Sequence, residues 1–329
     1  MNNSTYLKGI KSATAFLACT TAGLLALAGC SGKKTEPAKR TFPMITVPTV
    51  YNAPQARAEY LAMHYWDRFD FGDTVNIGSA APVSEQAIVD YISTLPYASY
   101  GVVYEGIHHT LSMAERHPAM YAFFTSMMER YLFDLNSSLR NDEYFIPVLE
   151  HMLSSTVLDD YRKARPGAIL FELQKNRPGT QAADIRYATA SGARAALSQL
   201  TTDYTLAMFH NLDCGNCRQL AAAVDASTVI REMQRRKMLT VLSIYHGDDI
   251  DGWTKHVAEM PPSWIHGYDY AREIADSATY ALRIIPTLYL FRRDRTVVMR
   301  DATLEYVEYF LNSAANPPAI AGATAETTQ

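Results

Sequence analysis

The chain has 329 residues, 48% of them hydrophobic and 19% charged, which suits one or two globular domains and excludes a disordered chain. A formal charge of −4 argues against nucleic acid as the main partner. Only four cysteines occur, Cys19, Cys30, Cys214 and Cys217, too few for a structural disulfide framework.

Residues 1–29 carry Lys8 and Lys11, no acid, and an apolar stretch of small residues from Ala13 to Ala28, the order expected of a signal peptide. The stretch ends in Leu25-Ala-Leu-Ala-Gly-Cys30, which resembles the lipobox of bacterial lipoproteins. The resemblance implies lipidation of Cys30 as the mature N-terminus. It places the chain in the cell envelope as a lipid-anchored protein facing the periplasm, where disulfide chemistry operates. Cys19 leaves with the leader and Cys30 is consumed by lipid, so Cys214 and Cys217 are the only candidate pair. Residues 30–44 form a polar, Lys- and Pro-containing tether.

Residues 45–175 read as a mostly α-helical domain. Tyr60, Leu61, His64, Tyr65 and Phe69 recur at helical spacing within Ala56–Phe69. A second helix starts at Pro82, with Ser84 as its N-cap, and runs to about Leu95. Further helices are expected over Tyr100–Arg116, Ala119–Leu135, Asp142–Leu153 and Val157–Lys163, and Pro166-Gly167 ends the run. Tyr121, Phe124, Met128 and Tyr131 form a core stripe. His108, His109, His117 and His151 raise the question of a metal, but no His pair at i, i+4 supports one. Asp67, Asp70 and Asp73 lack the Gly and Glu of a calcium loop and read as a solvated helix end.

Residues 176–315 alternate strands with helices. Strands are expected over Asp184–Ala188, Tyr204–Phe209, Met238–Tyr245, Thr287–Phe291 and Thr296–Met299, with Ser263–Tyr268 as an edge segment. Ala195–Leu200 is a short helix or cover segment. Helices follow Leu220–Val224, Thr228–Arg236, Ile250–Glu259, Tyr270–Ala275 and Leu304–Asn312. The pattern is that of an α/β layered domain with helices flanking a central sheet. Residues 316–329 read as a disordered tail.

The chemistry concentrates in Cys214-Gly-Asn-Cys217, at the start of a helix that follows a buried strand. Unpaired N–H groups at a helix N-terminus favour an anion, so the Cys214 thiolate should be accessible there. The spacing lets Cys217 resolve a mixed disulfide formed on Cys214. Zinc needs four ligands, and His210 still leaves the set short. Two readings stay open: a redox-active dithiol, or a structural Cys214–Cys217 disulfide. The short loop argues against the second, because closing it contributes little stability.

Cys214-Gly-Asn-Cys217, Trp253, Trp264, Tyr280 and Ile285-Pro286-Thr287-Leu-Tyr-Leu-Phe291 resemble the thioredoxin fold, most closely the extracytoplasmic proteins of the TlpA and ResA type. The resemblance covers about residues 180–315. It implies a cis peptide at Pro286 facing the cysteines, with Ile285 and Pro286 as the edge where a substrate strand pairs. Three departures from the family pattern involve four residues. Asp213 precedes the first cysteine, Met208 and Leu220 occupy the places of the family's buried acid, and Leu212 replaces a Pro or Trp.

The expected function is therefore a lipid-anchored thiol–disulfide oxidoreductase, with Cys214 attacking and Cys217 resolving, that reduces protein disulfides in the envelope. It calls for no cofactor or metal; in an oxidising compartment it requires an electron donor, for which a membrane protein passing electrons outward is the expected class. The alternative is a binding or scaffold lipoprotein whose disulfide is structural and whose helical half holds an envelope partner.

Overall fold

The structure, a computed structural model, describes residues 41–78, 83–276 and 279–316. The leader, Cys30, the tether up to residue 40, Pro82 and the tail from residue 317 lie outside the described residues. From Thr41 onward the described chain packs as one compact unit, a helical half followed by a mixed sheet with flanking helices.

The helical half comprises α1 (Pro54–His64), α2 (Val83–Thr94), α3 (Tyr100–Glu115), α4 (Pro118–Leu132), α5 (Asp142–Ser154) and α6 (Asp160–Leu173). Its core is aromatic. Trp66 meets Phe124 edge-on at 4.8 Å and Phe69 at 5.3 Å, and Tyr65, Tyr91, Phe71 and Met128 are buried around them. Side-chain caps start the later helices: Asn141 accepts from the Tyr144 N–H and Asp159 from the Arg162 N–H.

Two local expectations fail here for physical reasons. Pro166-Gly167 does not end a helix; α6 runs through it. Pro166, Leu170 and Leu173 share one buried face of α6, which packs on α5, and that burial outweighs the missing N–H. Ser84 is not a cap but a buried residue inside α2, and its hydroxyl donates to the Asn76 carbonyl at 2.6 Å.

The second half contains β1 (Arg186–Ala188), β2 (Arg194–Ala196), β3 (Tyr204–His210), α7 (Gly215–Ala226), α8 (Thr228–Arg235), β4 (Leu239–Tyr245), α9 (Ile250–Val257), β5 (Ile265–Tyr268), β6 (Thr287–Arg292), β7 (Val297–Arg300) and α10 (Leu304–Ala315). The sheet order is β2-β1-β5-β4-β3-β6-β7. β3 is central, parallel to β4 and antiparallel to β6. Both its faces are buried. Leu206 and Met208 join a cluster with Val224, Ile230 and Val307 from α7, α8 and α10, while Ala207 and Phe209 join Tyr280, Tyr289 and Phe291 on the other face.

Ala195–Leu200 divides into the end of β2 and a 3-10 turn over Leu197–Gln199. The helix expected over Tyr270–Ala275 does not form. The buried Asp269 carboxylate accepts from the N–H groups of Glu273, Ile274 and Ala275 at 3.1, 2.7 and 3.2 Å, and Arg272 has φ of +55°. One side chain thus takes the donors that a helix would bond internally.

The two halves meet along a seam of charge that is partly buried, with Arg300 buried most fully. Arg300, with its side chain 3% exposed, donates to the Leu173 and Lys175 carbonyls at 2.6 and 2.9 Å and to Glu143 at 3.2 Å. Arg177 pairs with Glu143 at 2.6 Å, Arg140 with Asp301 at 2.9 Å and Arg283 with Asp142 at 2.6 Å.

The α1–α3 crossing supplies a stability test. A Cβ at Gly106 would collide with the Ala62 backbone carbonyl, whereas one at Gly101 meets nothing within 4 Å. In urea titrations Gly106→Ala should lose about 3 kcal/mol, and Gly101→Ala should gain about 0.5 kcal/mol.

Candidate active site

β3 ends at His210, and the chain turns through Asn211-Leu212-Asp213 into α7. Cys214 is the N-cap of that helix, in extended conformation, and its Sγ accepts from the Cys217 N–H at 3.1 Å. Cys214 and Cys217 are joined as a disulfide. Their environments differ. Cys217 is buried at 4% exposure in the apolar cluster that includes Met208, Ala221 and Trp264, while Cys214 is half-buried at the surface. An incoming sulfur therefore has access to Cys214 first. The helix N-terminus stabilises negative charge at Cys214, and the apolar surroundings of Cys217 favour its neutral thiol when reduced.

The Ile285–Pro286 peptide is cis. It precedes β6, whose Thr287 pairs with Phe209 of β3, and the Ile285 carbonyl oxygen lies 3.9 Å from Cys214 Sγ. Asn211, Asp213, Cys214, Gly215, Asn216 and Ile285 line an open depression of about 390 Å³. A larger cleft of about 560 Å³, lined by Arg140, Asp142, Pro178, Arg300 and Asp301 among others, lies at the seam and holds neither cysteine.

The structure thus brings Cys214, Cys217, Ile285 and Pro286 together. Met208 and Leu220 both pack in or against the cluster that buries Cys217, so no carboxylate stands at either place. Asp213 and Arg218 are exposed. Trp264 belongs to the same buried cluster as Cys217, Trp253 is buried against Tyr245, and the Tyr280 hydroxyl donates to the Ala183 carbonyl on the far face of the sheet.

Residues 26–176 match a family described as a domain of unknown function, DUF5106. No curated protein matches the chain. Among solved structures, a thioredoxin-like protein from Bacteroides caccae is 39% identical, covers 83% of this chain and 98% of its own, and superposes with a TM-score of 0.77. The chain belongs to the thioredoxin-like proteins. Two shorter structures from Bacteroides fragilis, the C-terminal domain of an uncharacterized protein and a conserved protein of unknown function, are 39% and 31% identical. They cover 42% and 41% of this thioredoxin-like chain and 98% of their own, with TM-scores of 0.41 and 0.40.

Sequence reasoning missed two features of this thioredoxin-like site. The first is Arg283, two residues before Ile285, which reaches the helical half; its partners are far away in the chain, and no local signal marks it. The second is a group of histidines beside the end of β3. His210 is 1% exposed, its ring centroid is 6.0 Å from that of His256, and its Nε2 has no hydrogen-bond partner among the described residues. Burial, and then repulsion from His256, His266 and His246, pushes its pKa down to about 4. Burial also lowers His246 and His266.

The sign of the consequence is fixed. The fold holds His210 neutral, while the unfolded chain protonates it near pH ~6.5. Its contribution is therefore complete above about pH 6.5 and is lost as pH falls toward 4, by on the order of 3 kcal/mol at that site. Thermal midpoints should fall over that window, and His210→Gln should flatten the fall. An unchanged slope in that variant would assign the effect to other groups.

Proposed function

We propose that this chain is a thiol–disulfide oxidoreductase that reduces disulfides of partner proteins in the cell envelope. One observation carries the reading: a Cys-x-x-Cys disulfide at the N-terminus of α7, with its outer sulfur accessible and 3.9 Å from the Ile285 carbonyl, and its inner sulfur buried. A scaffold disulfide needs no such asymmetry; a two-step exchange does.

In the reduced protein the Cys214 thiolate attacks one sulfur of a partner disulfide. A Cys214–partner bond forms, the partner's sulfur–sulfur bond breaks, and the released thiolate takes a proton from water. Cys217 then loses its proton and attacks Cys214 Sγ. The Cys214–Cys217 bond forms, the mixed disulfide breaks, and the partner leaves as a dithiol. The partner has gained two electrons and the protein has become the observed disulfide. The backbone at Ile285 offers an extended edge on which a substrate segment pairs while this happens. Regeneration requires two electrons from a thiol donor, for which a membrane protein passing electrons outward is the proposed class.

Cys214→Ser should abolish reduction of insulin disulfides, and undiminished activity would sink the proposal. Cys217→Ala should accumulate mixed disulfides with envelope proteins. In glutathione buffers the pair should equilibrate at roughly −120 to −270 mV. Resistance to reduction far below that range would make the disulfide structural and move the function to the helical half as a binding surface.

The anchoring proposal rests on the Leu-Ala-Gly-Cys30 ending of the apolar leader. Lipidation of Cys30 would tether the folded unit to the membrane. Cells expressing the chain should incorporate labelled palmitate into it, and Cys30→Ala should lose both label and membrane association.

A further inference from the structure

Arg283 lies in the segment that leads into β6, two residues before the carbonyl that faces Cys214. Its side chain points away from the thioredoxin-like half and into the helical one. Nη1 donates to Asp142 Oδ1 at 2.6 Å, Nη2 donates to the Phe133 carbonyl, and the guanidinium carbon stands 3.6 Å from the centre of the Phe133 ring. Neither ionic partner is free: Arg283 is 17% exposed and Asp142 13%.

These contacts fall on parts of the helical half that are themselves fixed. Phe133 follows α4 and stacks on the buried Phe145 ring at 4.9 Å. Asp142 is the first residue of α5, next to Glu143, which holds Arg177 and Arg300. A planar guanidinium held by a carboxylate, a carbonyl and an aromatic face has its orientation set as well as its position. The segment carrying Ile285 is thereby anchored on one side by β6 and on the other by the helical half.

We infer that the helical half serves the thiol site by holding the Ile285–Pro286 segment in register against Cys214, with Arg283 as the positioning residue. The inference rests on the oxidoreductase reading for its catalytic consequence, but the anchoring can be measured without it. The exchange chemistry itself belongs to the two cysteines, so loosening the segment leaves the sulfur couple as it was. What suffers is the capture of a polypeptide that must pair with the Ile285 backbone and present its disulfide to Cys214.

The test uses the full folded chain and compares Arg283→Leu and Arg283→Lys with the parent. Arg283→Leu should lower kcat/KM for insulin reduction about tenfold, mainly through KM, because a misplaced docking edge weakens positioning. Its equilibrium with glutathione and its rate on a small aromatic disulfide should not change. Arg283→Lys, which keeps the ion pair but loses the planar fork, should fall between the two. Hydrogen exchange supplies the readout that needs no activity: amides of residues 284–288 should exchange faster in Arg283→Leu, while those of β3 stay protected. Unaltered exchange over 284–288 together with unaltered insulin kinetics would overturn the inference. Failure of the parent to reduce insulin would count against the oxidoreductase reading alone, and the exchange result would then decide the anchoring. If Arg283→Leu does not fold, Asp142→Asn removes the same ion pair from the helical side and is read in the same way.

Discussion

A guanidinium buried to 3% exposure cannot remain without partners, and the arrangement of the two halves follows from how Arg300 is satisfied. Its donors take the Leu173 and Lys175 carbonyls at the end of α6 and the Glu143 carboxylate at the start of α5. Those groups belong to the helical half, whereas Arg300 ends β7. Removing any one partner would leave a buried charge short of its ligands, a loss of about 3–5 kcal/mol for pairs of this kind. Arg177 in the connection, Arg140 and Arg283 repeat the arrangement along the same seam, paired with Glu143, Asp301 and Asp142. The seam is polar, with Arg300 buried and the other charges partly so, and its pairs are geometrically specified, so it sets orientation as well as contact.

That constraint bears on the thiol pair from a distance. β7 pairs with β6, β6 with β3, and β3 leads into the cysteines. The helix N-terminus tunes Cys214 electrostatically, and the apolar cluster around Cys217 keeps water from the inner sulfur. Met208 and Leu220 add to that cluster where an acid would otherwise stand. On the proposed chemistry Cys217 must then lose its proton without a neighbouring carboxylate at either place. The arrangement thus gives selective access to one sulfur and keeps the other enclosed in apolar surroundings.

Much of this was legible in the sequence wherever local pattern and tertiary environment agree. The continuous apolar runs of β3 and β4, the turn before Cys214 and the Ile285-Pro286-Thr287 segment each carry their own signal. Misreadings arose where a distant group overrode a local rule. Pro166 looks like a helix stop, yet its place on a buried face with Leu170 and Leu173 carries α6 through it. The segment after Asp269 looks helical, yet one buried carboxylate captures its donors. Arg283 drew no reading at all, because its partner Asp142 lies 141 residues earlier. No window of sequence can contain such a pair, so the division into two domains at residue 175 could not disclose what joins them.

The join changes what the helical half can be. A module that merely carried a binding surface would need a linker and a small, solvated contact with its neighbour. Here the connection after α6 is itself tied into the seam: Asn176 donates to the Thr279 carbonyl, Arg177 is held by Glu143, and the Gly179 N–H donates to the Val297 carbonyl of β7. The chain thus passes from one half to the other while hydrogen-bonded to both. A displacement of α5 would be felt at Arg300, at Arg177 and at Arg283 together, and the last of these is two residues from the carbonyl beside Cys214. The matched helical family and the thioredoxin-like sheet are therefore parts of one mechanical unit, with the accessible sulfur and the Ile285 edge at its open end.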